Sequence, residues 1–69
     1  MSVYIQLNND RYIEISNFKY ITFPDGKGGI VKVEKFDHFY LYNHLLTFVG
    51  EKTIVSLSSK DIEYVKFDN

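Results

Sequence analysis

The chain has 69 residues, no cysteine and a formal net charge of −1, with nine acidic residues against eight Lys and Arg. These values exclude a disulfide scaffold and a thiolate metal site, and they weigh against nucleic-acid binding, which usually needs a basic excess. We predict one domain over residues 1–69, with a core so small that self-association would help to stabilise it.

The first predicted hairpin joins strands at 3–7 and 12–15, where apolar residues alternate with polar or aromatic ones. Such alternation is typical of half-buried strands. A three-residue loop places Ile5 opposite Ile13, whereas a two-residue loop places Ile5 opposite Glu14 and mixes the faces. We therefore predict the longer loop, whose Asn and Asp residues tolerate a left-handed backbone.

A second hairpin is predicted around "PDGKGG", residues 24–29, which is the strongest turn signal in the chain. Strands are expected before it at 18–23 and after it at 30–36. The chain closes with two more predicted strands, at 53–58 and 62–67. The polar corner between these last two strands suits a short 3₁₀ turn.

The stretch "FDHFYLYNHLLTF", residues 36–48, holds five aromatic rings and both histidines. A two-residue turn at Asn43-His44 predicts a hairpin over 38–49 that pairs Phe39 with Phe48 and Tyr40 with Thr47. One face would then be apolar and belong to the core: Phe39, Leu41, Leu46 and Phe48, joined by Val55 and Leu57. The other face would be amphipathic: His38, Tyr40, Tyr42, Leu45 and Thr47.

This amphipathic face has three interpretations. The first is a tyrosine rim around the core, the second is a contact surface for another copy or another protein, and the third is a base-stacking platform. The last interpretation would combine Tyr40 and Tyr42 with a lysine patch formed by Lys19, Lys32 and Lys35. A metal site is the least favoured, because only two histidines exist and the predicted strands hold them far apart. We expect no metal and no cofactor.

A possible anion contact lies in the glycine-rich turn, where exposed backbone amides beside a lysine suit a small charged ligand. The residues concerned are Lys27, Gly28, Gly29 and Lys32. The spacing does not match the phosphate-binding loop, which requires G-x-x-x-x-G-K-[ST] at the start of a helix. A plain hairpin loop is therefore the favoured interpretation.

Together these patterns predict an all-β fold, a small antiparallel meander or partly open barrel of SH3-like or OB-like size. We expect six to seven short strands and little or no helix. No apolar segment approaches the roughly 20 residues of a membrane span. No signal peptide or catalytic constellation is visible.

The expected function is a non-enzymatic binding protein acting as a small homo-oligomer that binds another protein or a small charged ligand. A nucleic-acid-binding barrel is the alternative. The abundance of residues with AT-rich codons suggests a phage or mobile-element accessory protein that blocks or sequesters a host component. Its expected place is the cytoplasm of a bacterial cell or of a phage-infected host.

Overall fold

The computed structural model describes residues 1–37, 39, 41 and 45–69. This part of the chain is all-β, with seven strands and one short 3₁₀ turn, as predicted. The elements in chain order are β1 (Ser2–Leu7), β2 (Tyr12–Ile15), β3 (Phe18–Pro24), β4 (Ile30–Val33), β5 (Leu45–Gly50), β6 (Ile54–Ser58), the 3₁₀ turn (Ser59–Asp61) and β7 (Ile62–Asp68).

The strands form two antiparallel sheets. The three-stranded sheet has the order β2-β1-β7, and the four-stranded sheet has the order β4-β3-β5-β6. Backbone hydrogen bonds also join segments across the fold: Phe18 donates to the carbonyl of Met1 at 2.8 Å, and Asn8 donates to Asp61 at 3.0 Å. The result is the small antiparallel β architecture that the alternation predicts.

The first hairpin has the predicted register. Ile5 lies opposite Ile13, and Val3 lies opposite Ile15. The loop between the strands contains Asp10 at φ 67, in the left-handed region that a short polar side chain tolerates. The three-residue loop is therefore confirmed, and it is what keeps the apolar residues of both strands on one face.

The core lies between the two sheets and takes residues from both. Because side chains alternate between the faces of a strand, each strand contributes every second residue. Among the described residues, eight apolar side chains are buried: Val3, Ile5, Ile15, Phe18, Ile21, Leu46, Phe48 and Ile62. Ten others are half-buried and pack against them: Leu7, Ile13, Phe23, Val33, Phe36, Phe39, Val55, Leu57, Val65 and Phe67.

The predicted pairing within the 38–49 hairpin is wrong where the structure describes it. Phe48 lies opposite Ile21 of β3 on one side and Val55 of β6 on the other, so no edge of this residue is left for Phe39. Leu41, which we assigned to the core, is exposed. The predicted turn at Asn43-His44 lies outside the described residues.

Phe36 and Phe39 instead cover one end of the core as part of a phenylalanine cluster. Phe36 stacks on Phe67 with ring centroids 4.5 Å apart, and Phe39 meets the same ring edge-on at 5.8 Å. Phe18 lies 5.4 Å from Phe36 and 6.0 Å from Phe67. β4 accordingly ends at Val33 rather than at residue 36, and the chain then turns inward to bury these rings.

Candidate functional site

Two exposed sheet faces are the candidate sites of the described chain. We call the outward side of the four-stranded sheet the apolar face. Its residues follow from the register, in which Tyr20, Val49 and Ile54 form one row across β3, β5 and β6. Ile54 is 69% exposed and Leu45, on the same side of the sheet, is 53% exposed. Tyr20, Val49 and Ile54 form a contiguous row, and contiguous apolar surface marks contact sites more often than single exposed residues do.

The middle of the apolar face is a row of hydroxyl groups. Thr22, Thr47 and Ser56 lie side by side across the same three strands. The hydroxyls of Thr47 and Ser56 are hydrogen-bonded at 2.9 Å. Because these hydroxyls partly satisfy each other, this row can be covered at a lower desolvation cost than free hydroxyls would carry.

Lys32 borders the apolar face. The Nζ atom of Lys32 lies 4.3 Å from the centre of the Tyr20 ring and 3.8 Å from a carboxylate oxygen of Glu34. Lys32 therefore interacts with an aromatic ring and a carboxylate of its own chain. Lys32 lies on β4 and Lys27 lies in the glycine-rich loop, so a joint anion contact of these two lysines stays a prediction.

The glycine-rich loop holds a carboxylate of its own. One side-chain oxygen of Asp25 accepts hydrogen bonds from the amides of Lys27 at 2.7 Å and Gly29 at 3.0 Å. These hydrogen bonds, that of Lys27 foremost, lower the pKa of Asp25 below its ordinary value of 3.8. Asp25 thus accepts hydrogen bonds from two of the amides that we expected to meet an external anion, and that anion contact stays a prediction. Gly28, at φ 88, supplies the backbone shape of the turn.

The second candidate site is the outward side of the three-stranded sheet, which carries three tyrosines. We call Tyr4, Tyr12 and Tyr64 the tyrosine stack. The ring of Tyr4, on the central strand, lies 5.2 Å from Tyr12 at an interplanar angle of 15° and 6.1 Å from Tyr64 at 24°. These values describe an offset stack, which stabilises aromatic neighbours beyond their buried area.

A glutamine orients the central ring of the tyrosine stack. The Tyr4 hydroxyl donates to Oε1 of Gln6 at 2.7 Å, and Nε2 of Gln6 donates to the carbonyl of Arg11 at 3.0 Å. Burial of the ring, followed by the neighbouring phenols of Tyr64 and Tyr12, raises the pKa of Tyr4 above its ordinary value of 10.0. The phenol therefore stays protonated and donating at neutral pH.

The sequence-predicted site residues are only partly described. Leu45 and Thr47 lie on the apolar face, with Leu45 exposed and Thr47 half-buried. His38, Tyr40 and Tyr42 lie outside the described residues, so the predicted patch stays a prediction. Among the residues that the structure does describe, no group of three His, Cys, Asp or Glu side chains is placed to hold a metal ion.

Our sequence reasoning did not identify the tyrosine stack as a candidate site. The signal was present, because Tyr4, Tyr12 and Tyr64 each directly precede a core aliphatic residue in a strand and so must point outward. The density of aromatic residues at 36–48 is the stronger local pattern. The pairing of β7 with β1 brings Tyr64 to the other two rings, and no local pattern shows that pairing.

No helix in the described part of the chain is long and apolar enough to cross a membrane. Comparisons with known proteins add no family to these observations. No protein-family model, no curated protein and no solved structure matches this chain.

Proposed function

We propose that the protein is a non-enzymatic binding protein that assembles as a small homo-oligomer through the apolar face. The observation that carries this proposal is the exposure of Leu45 and Ile54 at the two ends of one sheet face, with the half-buried Val49 opposite Ile54, on a face that no described element covers. A 69-residue chain gains much from such an interface, because each Å² of apolar surface removed from water stabilises by roughly 25 cal/mol.

A second copy of the chain is the occupant that suits this face. Its described surface is formed mainly by aliphatic side chains and small hydroxyl groups, with Lys32 at its border and Glu34 beside that lysine. Two such faces can therefore pack without burying unpaired charge, which would cost several kcal/mol. Face-to-face packing of two sheets at about 10 Å is the geometry expected of this contact.

Electrostatics favour a protein partner over nucleic acid for the wider binding role. Lys32, a member of the predicted lysine patch, is held between Tyr20 and Glu34. The tyrosine stack is bordered by Glu14 and Asp68 as well as by Lys66. Phosphate groups would approach carboxylates there, whereas nucleic-acid sites are basic. Blocking or sequestering another protein, as a phage accessory protein would, is the proposed biological role.

Self-association is testable with a double substitution on the apolar face. Leu45→Thr with Ile54→Thr keeps strand-compatible side chains and removes the exposed apolar surface. Light scattering at micromolar concentration should report a mass above 8.1 kDa for the wild type and 8.1 kDa for the double variant. Circular dichroism should show the same β content for both proteins.

Tyr12→Thr is the matched control, since it removes an exposed apolar body from the other sheet. This variant should assemble like the wild type. A wild-type mass of 8.1 kDa, or an assembled double variant with its β content intact, would show that the apolar face is not the interface.

A further inference from the structure

A cavity opens beside the tyrosine stack on the three-stranded sheet. It has a volume of about 290 Å³, and its lining includes Ser2, Tyr4 and Tyr64. The hydrogen bond from Tyr4 to Gln6 directs the ring toward that residue, which lies two positions along the same strand and on the same face. The ring therefore leans away from Ser2, and the small serine side chain leaves the space above it open.

Charged side chains stand on both sides of this cavity. Glu14 of β2 and Lys66 of β7 both lie directly opposite Tyr4, on its two neighbouring strands, and Asp68 lies opposite Ser2. Among the residues that the structure describes, the ion pair formed is that of Lys32 with Glu34, so neither Glu14 nor Asp68 has a cationic partner within 4.0 Å. The cavity thus offers two unpaired carboxylates against one ammonium group.

We propose that this cavity binds a lysine or arginine side chain from a basic segment of a partner protein. The aromatic rings of Tyr4 and Tyr64 give apolar contact to the methylene stem of such a side chain, while Glu14 and Asp68 pair with its charged head. The proposal concerns the three-stranded sheet and does not depend on self-association through the apolar face.

The chemistry of the lining selects a cation rather than an anion. A phosphate or carboxylate group entering the cavity would gain Lys66 and meet the two carboxylates, so its net interaction is repulsive. A cation would be attracted by the two carboxylates and repelled only by Lys66, so its net interaction is attractive. Lys66 repels the bound cation and so lowers the affinity. It also attracts an acidic residue beside the basic one in the partner, and it thereby contributes to selectivity.

The probe is a blocked, fluorescein-labelled hexalysine peptide, and its binding is followed by fluorescence anisotropy at low ionic strength. We expect binding that weakens as salt is added, and no binding of a labelled hexaglutamate peptide. Replacing Glu14→Gln together with Asp68→Asn should weaken hexalysine binding about tenfold, since each exposed ion pair contributes about threefold. Lys66→Gln should strengthen binding about threefold, because it removes the repulsive charge.

A control double variant separates the cavity from the net charge of the protein. Asp10→Asn with Glu51→Gln also removes two exposed carboxylates, but Glu51 lies in the β5–β6 turn and Asp10 lies in the β1–β2 loop, at the opposite end of β1 from Ser2. This variant should bind hexalysine like the wild type. Equal weakening in both double variants, or weaker binding after Lys66→Gln, would overturn the proposal.

Two further measurements complete the test. The Leu45→Thr, Ile54→Thr variant should bind hexalysine as the wild type does, so a failure of self-association is distinguishable from a failure of the cavity. A labelled oligothymidine should not bind at the same salt concentration. If it binds more tightly than hexalysine and Tyr64→Ala abolishes that binding, the face is a base-stacking platform and the proposal is wrong.

Discussion

Gly50 lies so close to the core that there is no room for a Cβ atom at this position. A Cβ atom at residue 50 would lie 2.5 Å from Cγ2 of Ile15, and Ile15 is buried in the core that the two sheets share. β5 therefore needs a residue without a side chain where it passes β2. In the sequence, Gly50 is simply a glycine before a turn, and its position there indicates a turn residue rather than a packing constraint.

We predict that Gly50→Ala destabilises the protein by about 1–3 kcal/mol, because the added methyl group displaces a side chain that cannot move into solvent. Urea denaturation measures the loss. Ile15→Leu removes the obstructing Cγ2 branch, so the double variant should be more stable than the sum of the two single effects. Strict additivity would show that the two residues do not meet. Lys52→Ala, in the exposed turn that follows, should be nearly neutral.

Asp25 gives a second prediction, on pH dependence. Its pKa is lowered by hydrogen bonds from the amides of Lys27 and Gly29, so the ordered loop is favoured while the carboxylate is charged. That stabilisation is present above pH 3.8, the ordinary value, and is lost as the pH falls through the lower pKa of the folded state. The amide proton shifts of Lys27 and Gly29 should titrate together with a midpoint below 3.8, as seen by NMR. A midpoint at or above 3.8 would contradict this prediction, and Asp25→Asn should abolish the titration.

The elements of this fold divide into hairpins that local patterns specify and contacts that they do not. The β1–β2 hairpin has the predicted loop, and β3 pairs with β4 across the glycine-rich turn as predicted, although Pro24 ends β3 opposite Ile30 instead of belonging to the loop. β6 then pairs with β5, the strand before it in the chain. The predicted 38–49 hairpin differs because β5 is an interior strand, with β3 and β6 on its two sides. An interior strand and a hairpin strand can show the same alternation, since the pattern reports faces and not neighbours.

The two hairpin loops should respond differently to shortening. The hydrogen bonds found for the 24–29 loop are internal, and they join Asp25 to Lys27 and Gly29. Replacing this loop by a two-residue Asn-Gly turn should leave the thermal midpoint nearly unchanged. In the β1–β2 loop, by contrast, the side chain of Asn8 donates to the carbonyl of Lys60 at 2.7 Å. Shortening that loop by one residue should lower the midpoint clearly, because it breaks this bond and shifts the register. Equal effects of the two changes would argue against this prediction.

At the scale of the whole molecule, the phenylalanine cluster holds the two sheets together. Phe67 comes from the last strand of one sheet, Phe18 comes from the first strand of the other, and Phe36 contacts both rings. A chain of this size buries little surface, so a few large rings carry a substantial share of its stability.

We predict that Phe67→Ala costs about 3 kcal/mol, a typical loss for a phenylalanine packed among other rings. Unfolding should remain a single transition by fluorescence and circular dichroism, because neither sheet buries its apolar side alone. Tyr64→Ala is the matched control on the same strand. Its side chain is outward and 46% exposed, so the cost should be much smaller. Similar losses of unfolding free energy in both variants would show that the phenylalanine cluster does not hold the two sheets together.

The sequence by itself determined the class of fold, the faces of most strands and the turn chemistry. Alternation assigned Val3 and Ile5 to the core, and the polar loop after them fixed the register of the first hairpin. These features are local, because the period of side chains along a strand and the conformational preferences of Asn, Asp and Gly act over a few residues.

Only the tertiary structure decided which strands are neighbours. It placed β7 beside β1, which assembles the tyrosine stack, and it placed Phe36 on Phe67 rather than on a strand face. Both contacts join residues that are far apart in the chain. Backbone hydrogen bonds between strands are the same for almost every side chain, so the choice of partner depends on how the whole set of apolar faces can be buried at once.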